Sequence, residues 1–130
     1  MTIAVLCAAA MALLIFLLGF LVSLRRTQTE IITGLENDPT SNLDKAVRGQ
    51  ANAAEYVPIL AVLSIYLGLQ GPAPWVEWAI IVAAVSRYLT AIGFLTCATL
   101  ARPHPLKAIG ALGTYGAGIA LCVAAALTVM

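Results

Sequence analysis

The chain has 130 residues, of which 62% are hydrophobic and only 10% charged, and its net charge is +1. A soluble domain of this length carries about 25% charged residues. Too few charges remain to coat a water-facing surface, which argues against a soluble enzyme, a nucleic-acid binder or a disordered chain and points to the lipid bilayer as solvent.

A spanning helix needs about 20 mostly apolar residues. The first predicted helix covers about 3–26, uncharged from Ile3 to Leu24 and closed by Arg25 and Arg26. Its length and the lack of a preceding basic residue disfavour a cleaved signal peptide. Gly34, Asp38-Pro39 and Ser41-Asn42 then punctuate a polar loop. The second helix is expected over about 44–70, ending at the Gln70-Gly71-Pro72 turn. The third covers about 74–101, with Glu77 near its start and Arg87 at its middle. Arg102-Pro103-His104-Pro105 is a tight connection, and the fourth helix runs over about 105–129. No alternation of polar and apolar residues suggests barrel strands. The expected fold is therefore all-α, an integral membrane four-helix bundle of up-down topology in a single domain.

Six of the seven basic residues flank the first and third loops (Arg25, Arg26, Lys45, Arg48, Arg102, Lys107), and the second loop has none. The positive-inside rule places those two loops in the cytoplasm and both termini outside. Cys7, Cys97 and Cys122 lie in apolar stretches with neither disulfide nor metal spacing. Gly110, Gly113, Gly116, Ala117 and Gly118 suggest a close-packing face on the fourth helix.

The anomaly is the stretch from Arg48 to Pro58. At 3.6 residues per turn, Arg48, Asn52, Glu55 and Tyr56 fall within an arc of about 100°. A cation, an amide, a carboxylate and a phenol thus share one stripe that runs into an apolar span. Ionisable groups at membrane depth are costly and usually face a bundle interior or a wet cavity. Pro58 removes one helical hydrogen bond just beyond them. Arg87 is the second intramembrane charge. It either pairs with Glu55 or forks onto a ligand carboxylate.

The pattern R-x-x-x-N-x-x-E-Y-x-P at Arg48, Asn52, Glu55, Tyr56 and Pro58 resembles the second-helix signature of the MAPEG family, membrane-associated proteins of eicosanoid and glutathione metabolism. Chain length, the four-helix layout and the mid-helix Arg87 agree with it. The resemblance implies a homotrimer with glutathione bound between subunits near the cytoplasmic face. Arg48, Asn52, Glu55, Tyr56, Arg87 and, as in some members, Gln50 would hold the tripeptide. Glutathione would be a co-substrate, and no metal is implied. A cation at the junction of helices three and four would stabilise its thiolate. Lys107 fits that position through Pro105-Leu106-Lys107, and Arg102 fits it by spacing from helix three. His104 reads as a surface loop residue.

The sequence departs from the family pattern at Thr90 and Phe94, where active members carry a His or Tyr and a Tyr. The expected function is glutathione-dependent transferase or peroxidase chemistry on lipophilic electrophiles or lipid hydroperoxides drawn from the membrane. The alternative is a non-enzymatic lipid- or glutathione-binding member. A small multidrug exporter is disfavoured, because Ile3 to Leu24 lacks a carboxylate. The lean loops suggest a bacterial inner-membrane protein.

Overall fold

The computed structural model describes residues 1–130. It contains four α-helices and no strand: α1 (Thr2–Thr29), α2 (Asn42–Leu69), α3 (Pro74–Thr96) and α4 (Pro105–Leu127). All four are long and apolar enough to cross a membrane. At a 1.5 Å rise, the 28 residues of α1 and of α2 reach about 42 Å, beyond the roughly 30 Å hydrocarbon core. Phe16, Phe20, Ile59, Trp78, Leu112 and Ile119 point outward, as a lipid-facing surface requires.

The helix starts follow local chemistry. Ser41 caps α2, its hydroxyl accepting from the Leu43 and Asp44 amides. Pro74 and Pro105 open α3 and α4 at the first helical position, where a missing N–H costs nothing. Gly71 takes φ 66° in the α2–α3 turn, a left-handed conformation that suits glycine.

Contacts between α1 and α2 and between α3 and α4 dominate, α2 and α3 join the two pairs, and α1 does not touch α4. The core runs along the middle, with Met11, Leu14, Leu18, Val57, Leu60, Ile80 and Leu121 buried. The α3–α4 pair packs backbone to backbone. A Cβ on Gly110 would lie 2.7 Å from the Thr90 nitrogen, and Gly113 abuts Ser86. Gly116 is different: nothing lies within 4 Å of the place its Cβ would occupy. The small-residue face is thus confined to Gly110, Gly113 and the buried Ala117.

α3 ends at Thr96, short of the expected Ala101. Cys97 adopts an extended conformation. The following segment folds across the first loop, where the Leu100 amide donates to the Pro39 carbonyl at 2.7 Å. The first loop is itself tightly held. Buried Asp44 accepts from the amides of Glu36 and Asp38 at 2.8 and 3.1 Å. Arg26 donates to the carbonyls of Ile31 and Gly34. One end of the bundle is therefore a knit layer of loops, and it carries the basic residues.

Candidate functional site

The site is built around Arg87. Its side chain is 1% exposed, although it sits near the middle of a membrane-spanning helix. A charge there needs polar partners, and three elements supply them. From α2, Asn52 accepts from Nη2 through its side-chain oxygen at 2.5 Å and its carbonyl at 3.3 Å. From α4, Thr114 accepts from Nη1 at 3.2 Å and donates its own proton to the Gly110 carbonyl at 2.7 Å. The Tyr56 ring lies beneath the guanidinium, 5.1 Å from ring centroid to Cζ. Nε has no partner.

No hydrogen bond joins Arg87 to Glu55; its acceptors are the neutral Asn52 and Thr114. A buried ion pair is therefore not what holds the arginine. The α2 stripe divides into two. Asn52 and Tyr56 turn half inward to Arg87, while Arg48 and Glu55 remain exposed on the outer side of the same arc. Two unneutralised charges on a spanning helix are the least comfortable feature of the isolated chain.

The other predicted residues lie at the loop end or face elsewhere. Arg48 lines a cavity of about 500 Å³ with Asp44, Phe94, Leu100 and the first loop. Gln50 faces α1, its amide nitrogen against Gly19. It does not share the side of α2 that meets Arg87. Lys107 lies over the Phe94 ring, 5.3 Å from its centroid, and donates to the Arg102 carbonyl at 3.4 Å. Gly93 makes that corner possible, since a Cβ there would come within 2.6 Å of the Lys107 amide nitrogen. The Arg102 side chain is exposed in the loop. Phe94 thus bridges Lys107 and the Arg48 cavity. Thr90 is 3% exposed and bonded to the Ser86 carbonyl, pressed against Gly110. An aromatic side chain has no room in its place.

Sequence reasoning missed Thr114 and Tyr115. The Tyr115 hydroxyl lies 3.4 Å from that of Tyr56, with the rings tilted at 58°. A signal existed, because Thr114-Tyr115 is a polar pair inside an otherwise Gly-, Ala- and aliphatic-rich run.

A polar stripe entering α2 at Arg48 and a buried arginine in α3 facing it make a specific combination. The family model for MAPEG matches residues 4–127. The chain belongs to the MAPEG family. No curated protein and no solved structure matches it. The MAPEG assignment and the four long apolar helices together make this an integral, multi-pass membrane protein in contact with lipid.

Proposed function

We propose that this MAPEG protein is a membrane-bound, glutathione-dependent transferase or peroxidase. One observation carries the reading. Arg48 and Glu55 stand exposed on the same arc of α2 from which Asn52 turns in to a buried Arg87 that has only neutral hydrogen-bond partners. Such an array suits a zwitterion with two carboxylates and an ammonium, which is what glutathione presents. Glu55 receives the γ-glutamyl ammonium. Arg48 and Arg87 take the carboxylates through charge-assisted bonds, and Asn52 and Tyr56 complete the site, Gln50 being turned to α1. A homotrimer, with a neighbouring subunit against the open side of α2, removes the two exposed charges from lipid.

Lys107 is better placed than Arg102 to act on the thiol. Its ammonium lies over Phe94, beside the Arg48 cavity, whereas Arg102 contributes a carbonyl to Lys107. A nearby cation lowers a thiol pKa from about 8.5 and raises the thiolate fraction at neutral pH. The thiolate then attacks an electrophilic carbon or the peroxide oxygen of a lipid hydroperoxide arriving from the membrane. The basic loop end faces the cytoplasm, as the positive-inside rule requires, in keeping with a bacterial inner-membrane protein whose termini lie outside.

The second reading is a MAPEG member that binds lipid or glutathione without turnover. Thr90 and Phe94 favour it, since they stand at the two positions of α3 where the resemblance leads one to expect an imidazole or phenol and a phenol. Purified protein with glutathione and either 1-chloro-2,4-dinitrobenzene or a lipid hydroperoxide separates the two. Turnover above background supports the enzyme, and calorimetric binding without turnover supports the second reading. Glu55→Gln should weaken glutathione binding about tenfold, the value of one charge-assisted hydrogen bond. Glu30→Gln, remote in the first loop, should leave it unchanged. Equal affinities in the two variants would remove Glu55 from the site, and native mass spectrometry reads the trimer directly.

A further inference from the structure

The seam between α2 and α4 has a polar head and an apolar body. Its cavity of about 290 Å³ is lined below Tyr56 and Tyr115 by Ile59, Leu63, Ile119 and Val123. From Tyr56 to Leu63 the slot follows α2 for about 10 Å at 1.5 Å per residue, which suits an alkyl chain lying along the helix.

Of the two phenols at the head, Tyr56 is anchored and Tyr115 packs on it. Tyr56 lies under the Arg87 guanidinium, which is fixed in turn by Asn52 and Thr114. Tyr115 packs against Tyr56 with ring centroids 5.9 Å apart. The hydroxyl oxygens are 3.4 Å apart. Good O–H···O bonds span about 2.5–3.0 Å, so each phenol is a poor partner for the other. The spacing instead lets both donate to one oxygen seated between them, about 2.8 Å from each. Two neutral donors able to converge on one point are the geometry of an oxyanion site.

We propose that Tyr56 and Tyr115 bind the oxygen of a lipophilic α,β-unsaturated carbonyl compound whose alkyl tail occupies the α2–α4 slot, with Tyr115 a catalytic residue in glutathione addition. This acceptor assignment rests on the glutathione reading above. The thiolate sulfur forms a bond to the β-carbon. The carbon–carbon π pair moves to the α-carbon–carbonyl-carbon bond, and the carbonyl π pair moves onto oxygen as an enolate. Both phenols hydrogen-bond that developing oxyanion. A proton taken up from water at the α-carbon then gives the saturated carbonyl thioether, with no net oxidation. In a displacement on an alkyl halide the charge leaves on the halide, and the phenol pair has no oxygen to stabilise.

The test compares Tyr115→Phe with wild type in glutathione addition to trans-non-2-enal and in glutathione displacement on benzyl chloride. Tyr66→Phe is the control. Its hydroxyl bonds Thr128, far along the same α2 helix, so the variant loses a phenol elsewhere. Losing one oxyanion donor from an enzyme typically costs about 10²–10³-fold in rate. With Tyr56 retained, kcat/KM for the enal should fall about 10- to 100-fold in Tyr115→Phe, while the benzyl chloride rate and the Tyr66→Phe rates stay within about twofold of wild type. A parallel fall on both substrates, or no fall on the enal, overturns the proposal while leaving the transferase reading intact. Wild-type protein that conjugates neither substrate overturns both.

Discussion

Removing the Asn52 side chain is the sharpest test of how this bundle tolerates a buried guanidinium. In Asn52→Ala, Arg87 Nη2 loses an acceptor at 2.5 Å but keeps the Asn52 carbonyl at 3.3 Å, because that oxygen belongs to the backbone. Hydrogen bonds to charged groups contribute about 1.5–3 kcal/mol. The weaker carbonyl bond survives, and water has little access to a side chain that is 1% exposed. The expected loss is about 2 kcal/mol, or roughly a thirtyfold change in the folded-to-unfolded ratio. Reversible unfolding by sodium dodecyl sulfate in dodecyl maltoside micelles, followed by helical circular dichroism, measures it. The same substitution in an Arg87→Met background isolates the pairwise part. There Asn52→Ala should cost under about 0.5 kcal/mol, since no buried cation is left unsatisfied. An equal cost in the two backgrounds would mean that Asn52 acts through α2 packing and does not hold the guanidinium.

Glycine substitutions on α4 should separate the packed part of the helix from the open part. Gly110→Ala places a methyl group 2.7 Å from the Thr90 nitrogen and should cost about 1–3 kcal/mol by overpacking. Gly116→Ala meets nothing within 4 Å and should be neutral or mildly stabilising, as helix propensity favours alanine; the same detergent unfolding series reads both. In the first loop, the Thr40 hydroxyl and amide donate to the Asp38 carboxylate and hold it below the usual carboxylate range. A depressed folded-state value means that Asp38 contributes stability above its unfolded pKa and loses it as pH falls through the folded one. Thr40→Val should therefore raise the Asp38 midpoint toward its ordinary value in a carbon-detected NMR titration. An unmoved midpoint would assign the shift to the backbone donor alone.

Much of the architecture is legible in the sequence, because lipid leaves few ways to satisfy a backbone. Charge-free runs, the Gln70-Gly71-Pro72 turn and Pro105 set three of the helix ends closely. The end of α3 was hidden. Thr96 to Leu100 contains neither glycine nor proline, and the helix stops where Leu100 turns to the Pro39 carbonyl, a contact distant in sequence. At the candidate site, the helical period correctly gathers Arg48, Asn52, Glu55 and Tyr56 on one arc. The period alone does not show that Asn52 and Tyr56 turn to Arg87 while Arg48 and Glu55 stay outside. That depends on how α2 is rotated against α3. Thr114 and Tyr115 escaped notice for a related reason: their polarity is modest, and only the approach of α4 to α2 gives it a partner. The glycine run on α4 likewise reads as one continuous face until α3 is seen to cover Gly110 and Gly113 alone.

Arg87 sets a guanidinium in the middle of the bundle, and the atoms gripping it, on Asn52 and Thr114, belong to neutral side chains. A fixed positive potential at that depth raises an electrostatic barrier to hydronium and alkali cations. The same potential favours an anionic group over a cation at the centre of the bundle.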